Sequence, residues 1–208
     1  MTTLSRPLGG AIAVVLLLAG CAHVGAELPT TPTTQVTVTP STSAAPSPSQ
    51  DPNAFTVTSP DFADGEELAD IHTANAFSGQ CTGDNINPAL EWSNAPEGTV
   101  GFAIAMTDES ASGWVHWVHA NIPPDVTSVA QGESASLPGV AGRDQATGEA
   151  GYFGPCPPGP NHRYVFTIYA LDTELALEPR FSGLDLTLAM SGHILAETAI
   201  TGMRSGPA

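Results

Sequence analysis

"GYFGPCPPGPNHRYVFTIYAL" (151–171) places four prolines, three glycines and a cysteine ahead of His162-Arg163, then turns directly into a β-branched and aromatic run. Such a run reads as a buried strand, and the Pro/Gly cluster before it as a rigid loop. Working outward, similar strand signals recur at 55–59 (FTVTS), 89–92 (ALEW), 100–108 (VGFAIAMTD) and 114–122 (WVHWVHANI), each set off by Pro, Gly, Asn or Asp. A last strand is expected near 196–203, and one helix over 184–192 (LDLTLAMSG), with Gly192 as its C-terminal cap. Many short strands with one late helix predict a mainly β domain, an antiparallel β-sandwich with one or two short helices.

The chain ahead of this domain has a different texture. Residues 1–21 carry Arg6, an apolar stretch from Ala11 to Ala19, and then a cysteine. The stretch is too short to span a bilayer and reads as a secretory leader. Its end, Leu18-Ala19-Gly20-Cys21, resembles the lipobox of bacterial lipoproteins. That resemblance implies a Cys21 that carries acyl chains such as palmitate, and a protein anchored at a bacterial cell membrane with its domain facing outward. The alternative is an ordinary signal peptide with an incidental cysteine. Residues 22–54 hold seven Thr, six Pro and four Ser with no aromatic residue. They are expected to form an extended tether, because they cannot bury enough apolar area to offset their ordering entropy. The folded domain is then 55–208.

Charge narrows the function classes. The whole chain carries −16. Nineteen of its acidic residues and four arginines lie from Phe55 onward, leaving about −15 on the domain and no lysine at all. This balance excludes nucleic acid and anionic lipid as broad electrostatic partners. Any anion must be held by a local site. With Cys21 taken by lipid, Cys81 and Cys156 remain. In an oxidising compartment they form either a disulfide or two buried free thiols.

Alternation along the strands brings chemistry to their ends. Val100, Phe102, Ile104, Met106 and Asp108 share one face of 100–108, so a large apolar face ends in a carboxylate. Period two also puts Trp114, His116, Val118 and Ala120 together, opposite Val115, Trp117 and His119. His162 and Tyr164 fall on one side of their strand and Arg163 on the other. Structural readings stand beside these: Asp108 as a turn or capping residue, His116 as a satisfied core histidine, Tyr164 as plain core. His119 is expected to be structural or at the surface, Arg163 to pair with a domain acid, and His193 to bond a backbone carbonyl at the turn after the helix.

The segments SPDFADGEEL (59–68), CTGDNINPALEWSNAPEGT (81–99), MTDES (106–110), GWVHWVHANIP (113–123), GYFGPCPPGPNHRYVFTIYALD (151–172) and AMSGHILAET (189–198) run in order across the domain. Together they resemble the phosphatidylethanolamine-binding proteins, or Raf kinase inhibitor-like proteins, in their bacterial YbhB/YbcL-type branch. The resemblance implies a β-sandwich with a small anion cavity at one end. Carried onto this sequence, its ligand-binding residues are Asp108, His116, Gly154, Pro155, Cys156, His162 and Tyr164, with backbone N–H groups of the proline-rich loop facing the ligand. One departure matters. The family commonly reads D-P-D-A-P after the hydrophobic strand, whereas here 108–112 is Asp-Glu-Ser-Ala-Ser, which predicts a softer loop and a less acidic rim.

The resulting expectation is an envelope-anchored binding protein for a small anionic or phosphate-bearing ligand. The alternative is a protein-interaction inhibitor of a protease or kinase-type partner. Two negative charges in contact repel by about 4 kcal/mol at an effective dielectric near 20. Asp108 can therefore serve an anion only through intervening protons, which His116 and His162 can supply. Catalysis is not expected. Asp108, Ser110, Ser112 and His116 contain the residue types of an acid–histidine–serine set, but there is no nucleophile elbow. Neither metal-ligand spacing nor a cofactor motif occurs.

Overall fold

In the chain's computed structural model, residues 52–206 are described. The leader with Cys21, and the expected tether up to residue 51, lie outside the described residues. The β-branched and aromatic runs form the long strands of the structure. In chain order the strands are β1 (Thr56–Thr58), β2 (Asn75–Ala76), β3 (Cys81–Thr82), β4 (Leu90–Ser93), β5 (Gly101–Asp108), β6 (Trp114–Ile122), β7 (Ser128–Val129), β8 (Val140–Ala141), β9 (His162–Leu171) and β10 (Ile194–Arg204). The single α-helix, α1 (Gly183–Met190), precedes β10. Its first turn is closed by a capping box in which Ser182 and Asp185 satisfy each other's backbone N–H. Gly192, at φ +83°, makes the left-handed exit that follows it.

The principal sheet is antiparallel in the order β10-β9-β5-β6-β8, and a three-stranded sheet, β1-β4-β7, packs against it. Between them lies the main core: Trp92 and Leu90 from the small sheet meet Phe102, Ile104, Phe166 and Ile168 from the large one. The outer face of the large sheet is also covered. Ala103, Val118 and Ala120 pack beneath Leu186 and Met190 of α1 and beneath Phe181. Cover on both faces explains why β5 is apolar at nearly every position instead of alternating apolar and polar. The architecture is the expected β-sandwich with helical trim.

β6 departs from simple alternation. Met106 of β5 faces Trp117 and Thr107 faces Val115, so His116 is an extra residue in the ladder. Such a bulge re-aims the side chain that it carries. Trp117 enters the main core while Val118 and Ala120 lie under the helix, and His116 turns toward Tyr164, with ring centroids 5.1 Å apart. The expectation of one face shared by His116, Val118 and Ala120 is therefore corrected. The short ladders β2–β3, β7 and β8 carry no signal in the sequence, because two residues leave no periodicity.

Candidate functional site

The end of β5 lies beside the beginnings of β6 and β9, and the residues there build the floor of a cavity of about 240 Å³. Asp108 is opposite both Tyr164 and Trp114 in the ladders. His162 opens β9 two residues before Tyr164, on the same face. Asp108, His116, His162 and Tyr164 all line the cavity.

The carboxylate of Asp108 is buried and engaged through both oxygens. Oδ1 accepts from the N–H groups of Ser110 and Ala111 at 2.9 and 3.2 Å, and Oδ2 accepts from Nδ1 of His162 at 2.6 Å. Asp108 is thus a cap for the turn Glu109–Ala111 and, at the same time, a wall of the cavity. The capping reading of this residue holds, and its carboxylate also lines the cavity. Ser110 Oγ accepts from the backbone N–H of Arg163, which ties the same turn to β9. Where prolines are absent, these bonds hold the loop, and Ser112 (φ +58°) and Gly113 (φ +75°) reverse the chain after it.

His116 donates from Nδ1 to the Phe153 carbonyl at 2.9 Å, leaving Nε2 as its remaining hydrogen-bonding atom. Burial pushes its pKa below the ordinary value, outweighing the Phe153 carbonyl and the Asp108 charge. The ring is therefore neutral at pH 7, and Nε2 accepts. Tyr164 is the complement. Burial raises its phenol well above the usual range and the neighbouring Asp108 charge raises it further, so the hydroxyl keeps its proton. That hydroxyl lies close enough to the Asp108 carboxylate to be influenced by it, yet it is buried without a well-formed hydrogen bond among the described residues. Buried polar groups are rarely left so. His162, bound through Nδ1 to Asp108, also has Nε2 left to offer.

The proline-rich loop does a different job from the one expected. Gly154 and Pro155 are not among the cavity-lining residues, whereas Phe153, Cys156, Pro157 and Pro158 are. The Gly154 N–H donates to Asn85 Oδ1 at 2.8 Å and that of Phe153 to the His116 carbonyl at 3.0 Å. Prolines have no N–H to give. Phe153 and Gly154 thus turn their N–H groups away from a ligand, and the rings of Phe153, Pro157 and Pro158 line the cavity. Gly154 instead allows close packing, since a β-carbon there would collide with backbone at His72–Ala74. The loop is docked onto 72–85 by that packing, by Tyr152 Oη donating to the His72 carbonyl, and by Ala74 N–H donating to the Pro155 carbonyl. A bridge between Cys81 and Cys156, with Cα atoms 5.8 Å apart, completes the attachment.

The remaining walls are apolar: Phe77, Trp114, Ala111 and Ala146 join the rings of the loop. No lysine or arginine lines the cavity. Period two places Trp114 beside His116 in sequence, but nothing local in NAFSG (75–79) marks Phe77 as a neighbour of β6 and β9. A second cavity, about 270 Å³, lies behind Pro155 and Pro157 and contains Arg204. The Arg204 guanidinium is already paired with Asp70 and Glu67 and donates to the Leu68 carbonyl, so its charge is spent inside the protein. The acid–histidine–serine set is not assembled. His116 bonds Phe153, Asp108 bonds His162, and neither Ser110 nor Ser112 lines the cavity.

His119 is buried and structural, with Nε2 donating to the Pro138 carbonyl at 3.2 Å. His193 bonds the carboxylate of Asp172 at 2.9 Å, not a carbonyl, because the helix exit places it beside the end of β9. Arg163 is exposed, and the arginine ion pairs among the described residues belong to Arg180 and Arg204.

With this geometry in place, the family model for "Phosphatidylethanolamine-binding protein" matches residues 58–205, the span that contains every strand from β2 to β10. The chain belongs to the phosphatidylethanolamine-binding protein family. Among its relatives, YbhB of Escherichia coli is 38% identical over 70% of this chain and 96% of its own. A Mycobacterium tuberculosis protein named "Putative lipoprotein LppC" is 34% identical over 99% of both chains. The crystal structure of Escherichia coli YbcL superposes with a TM-score of 0.68 at 34% identity, covering 74% of this chain and 99% of that one. The bacterial branch expected from the motifs is thus the one found. Likeness to LppC extends through residues preceding the domain, while no helix among the described residues is long and apolar enough to cross a membrane.

Proposed function

We propose that this member of the phosphatidylethanolamine-binding protein family is an envelope-anchored binding protein, held by lipid on Cys21, whose cavity captures a small phosphate-bearing ligand as its monoanion. The observation that carries this reading is the buried Tyr164 hydroxyl, a neutral donor with no formed hydrogen bond among the described residues, at the floor of the cavity. Beside it, neutral His116 has an acceptor in Nε2. A singly protonated phosphate matches both, since one oxygen accepts from Tyr164 while the P–O–H donates to His116. His162, steadied by Asp108, offers the third contact. The Asp108 charge is spread over three hydrogen bonds inside the protein and so does not confront the anion bare.

Charge and size support the same choice. With no fixed cation in the walls and about −15 on the domain, a dianion is disfavoured relative to a monoanion. A cavity of about 240 Å³ is slightly smaller than the roughly 300–1,000 Å³ of drug-sized sites, which suits a headgroup-sized ligand. Calorimetric titration of the protein with phosphate and with phosphoethanolamine tests the site. Binding that is lost in both Tyr164→Phe and His116→Ala is expected; binding untouched by either substitution refutes it. The anchor is tested separately. Cys21→Ala is expected to move the protein from the membrane fraction to the soluble one.

A further inference from the structure

Phe77 is out of place for a phenylalanine. It is 57% exposed and belongs to no core cluster, yet it stands at the cavity with its ring 6.2 Å from that of Phe153 in an edge-to-face arrangement. Its backbone is also unusual. Phe77, Ser78 and Gly79 follow one another at φ +55°, +56° and +88°, a left-handed run that side chains with a β-carbon adopt only at a cost. A structure keeps such a conformation only where its surroundings over-determine it.

The surroundings do so here. The turn is the tip of the β2–β3 hairpin, in which Asn75 pairs with Thr82 and Ala76 with Cys81. The Gln80 N–H closes the turn onto the Phe77 carbonyl at 3.2 Å. Cys81, at the foot of the hairpin, is bridged to Cys156, which also lines the cavity. The bridge therefore fixes the hairpin that carries an exposed aromatic ring on the cavity, which Trp114, itself 39% exposed, also lines, so the backbone's ordering cost is met before any ligand arrives. The titratable side chains, Asp108, His116, His162 and Tyr164, gather where β5 ends and β6 and β9 begin. Whatever is attached to a phosphate held there must leave between rings.

We propose that Phe77 is a specificity-determining residue that reads the organic group behind the anion, so that the ligand is a phosphomonoester with a planar or apolar substituent and not bare phosphate. This rests on the anion-site reading above. A phenyl or similar substituent stacked on the ring gains roughly three- to ten-fold in affinity, the range of an aromatic pair.

The experiment compares inorganic phosphate with phenyl phosphate by calorimetry on the full-length protein, its Phe77→Ala variant and its Phe77→Trp variant. Because the ring is more than half exposed, neither substitution should disturb folding. Phenyl phosphate is expected to bind roughly three- to ten-fold more tightly than phosphate. Phe77→Ala is expected to abolish that advantage, and Phe77→Trp to restore it. Equal affinities in the unmodified protein, or an advantage that survives Phe77→Ala, would overturn this inference and leave the anion site standing. If neither probe binds the unmodified protein, the anion-site reading fails and this inference falls with it.

Discussion

Asp108 and His162 are 54 residues apart in sequence and 2.6 Å apart in space, joined Oδ2 to Nδ1 where β5 ends and β9 begins. The contact makes one carboxylate answerable for two things, the turn that it caps and the imidazole that it orients. Asp108→Asn keeps the shape but halves the acceptor capacity. Hydrogen bonds to a charged group contribute about 1.5–3 kcal/mol. Phosphate affinity is therefore expected to fall roughly 10- to 100-fold, with about 1–2 kcal/mol of stability lost from the capped turn. Calorimetry and urea denaturation measure the two effects on one sample, and unchanged affinity would remove Asp108 from the site.

Tyr164 separates binding from packing by the sign of a stability change. Replacing a buried hydroxyl that lacks a partner removes a desolvation cost of about 1–3 kcal/mol. Tyr164→Phe is therefore expected to be as stable as the natural chain, or more so, in the same urea titration, while losing phosphate binding. A core tyrosine with an internal partner would show the reverse, lower stability and unaltered binding.

Acid should weaken the fold through histidine. Burial depresses the pKa of both His116 and His119 in the folded chain, outweighing the backbone carbonyls that they contact. Below the unfolded value of about 6.5, the unfolded chain then binds protons that the folded chain does not. Stability is full above about pH 6.5 and is lost as pH falls from there toward the depressed values. His119→Gln, which can keep a donor toward the Pro138 carbonyl, is expected to reduce this slope between pH 7.5 and 5 in urea midpoints. An identical slope would assign the acid sensitivity elsewhere.

Ligand affinity should run the other way with pH. If the cavity takes a monoanion, phosphomonoester binding weakens as the ligand loses its second proton, near pH 6. Affinity measured from pH 5.5 to 8 is then expected to decline, by up to about ten-fold per unit once the dianion dominates. A flat profile would show that the dianion binds equally well.

The bridge between Cys81 and Cys156 closes a loop with a sequence separation of 75. Chain entropy alone predicts about 4.5 kcal/mol of stabilisation for a loop of that length. Cys81→Ser combined with Cys156→Ser is expected to lower the urea midpoint accordingly. A loss below about 1 kcal/mol would show that the hydrogen bonds docking the proline-rich loop suffice without the bridge.

Much of this protein was legible before folding was considered. The long strands declare themselves because β-branched and aromatic runs are bounded by turn residues, and period two alone sets Asp108 at the end of the apolar face of β5. His162 and Tyr164 share a side for the same reason. These are local properties, and a strand's two-residue repeat carries them in the sequence. Three features required the tertiary structure. The bulge at His116 depends on the register against β5, which no single strand contains. The work of Gly154 and Pro155, packing against His72–Ala74 and leaving ligand contact to their neighbours, depends on a segment some 80 residues away. Phe77 reaches the cavity only because a disulfide and a two-residue ladder carry its turn there. Alternation is written residue by residue, but a cavity is made by chain segments meeting, and what they present to one another is decided when the sheets pack.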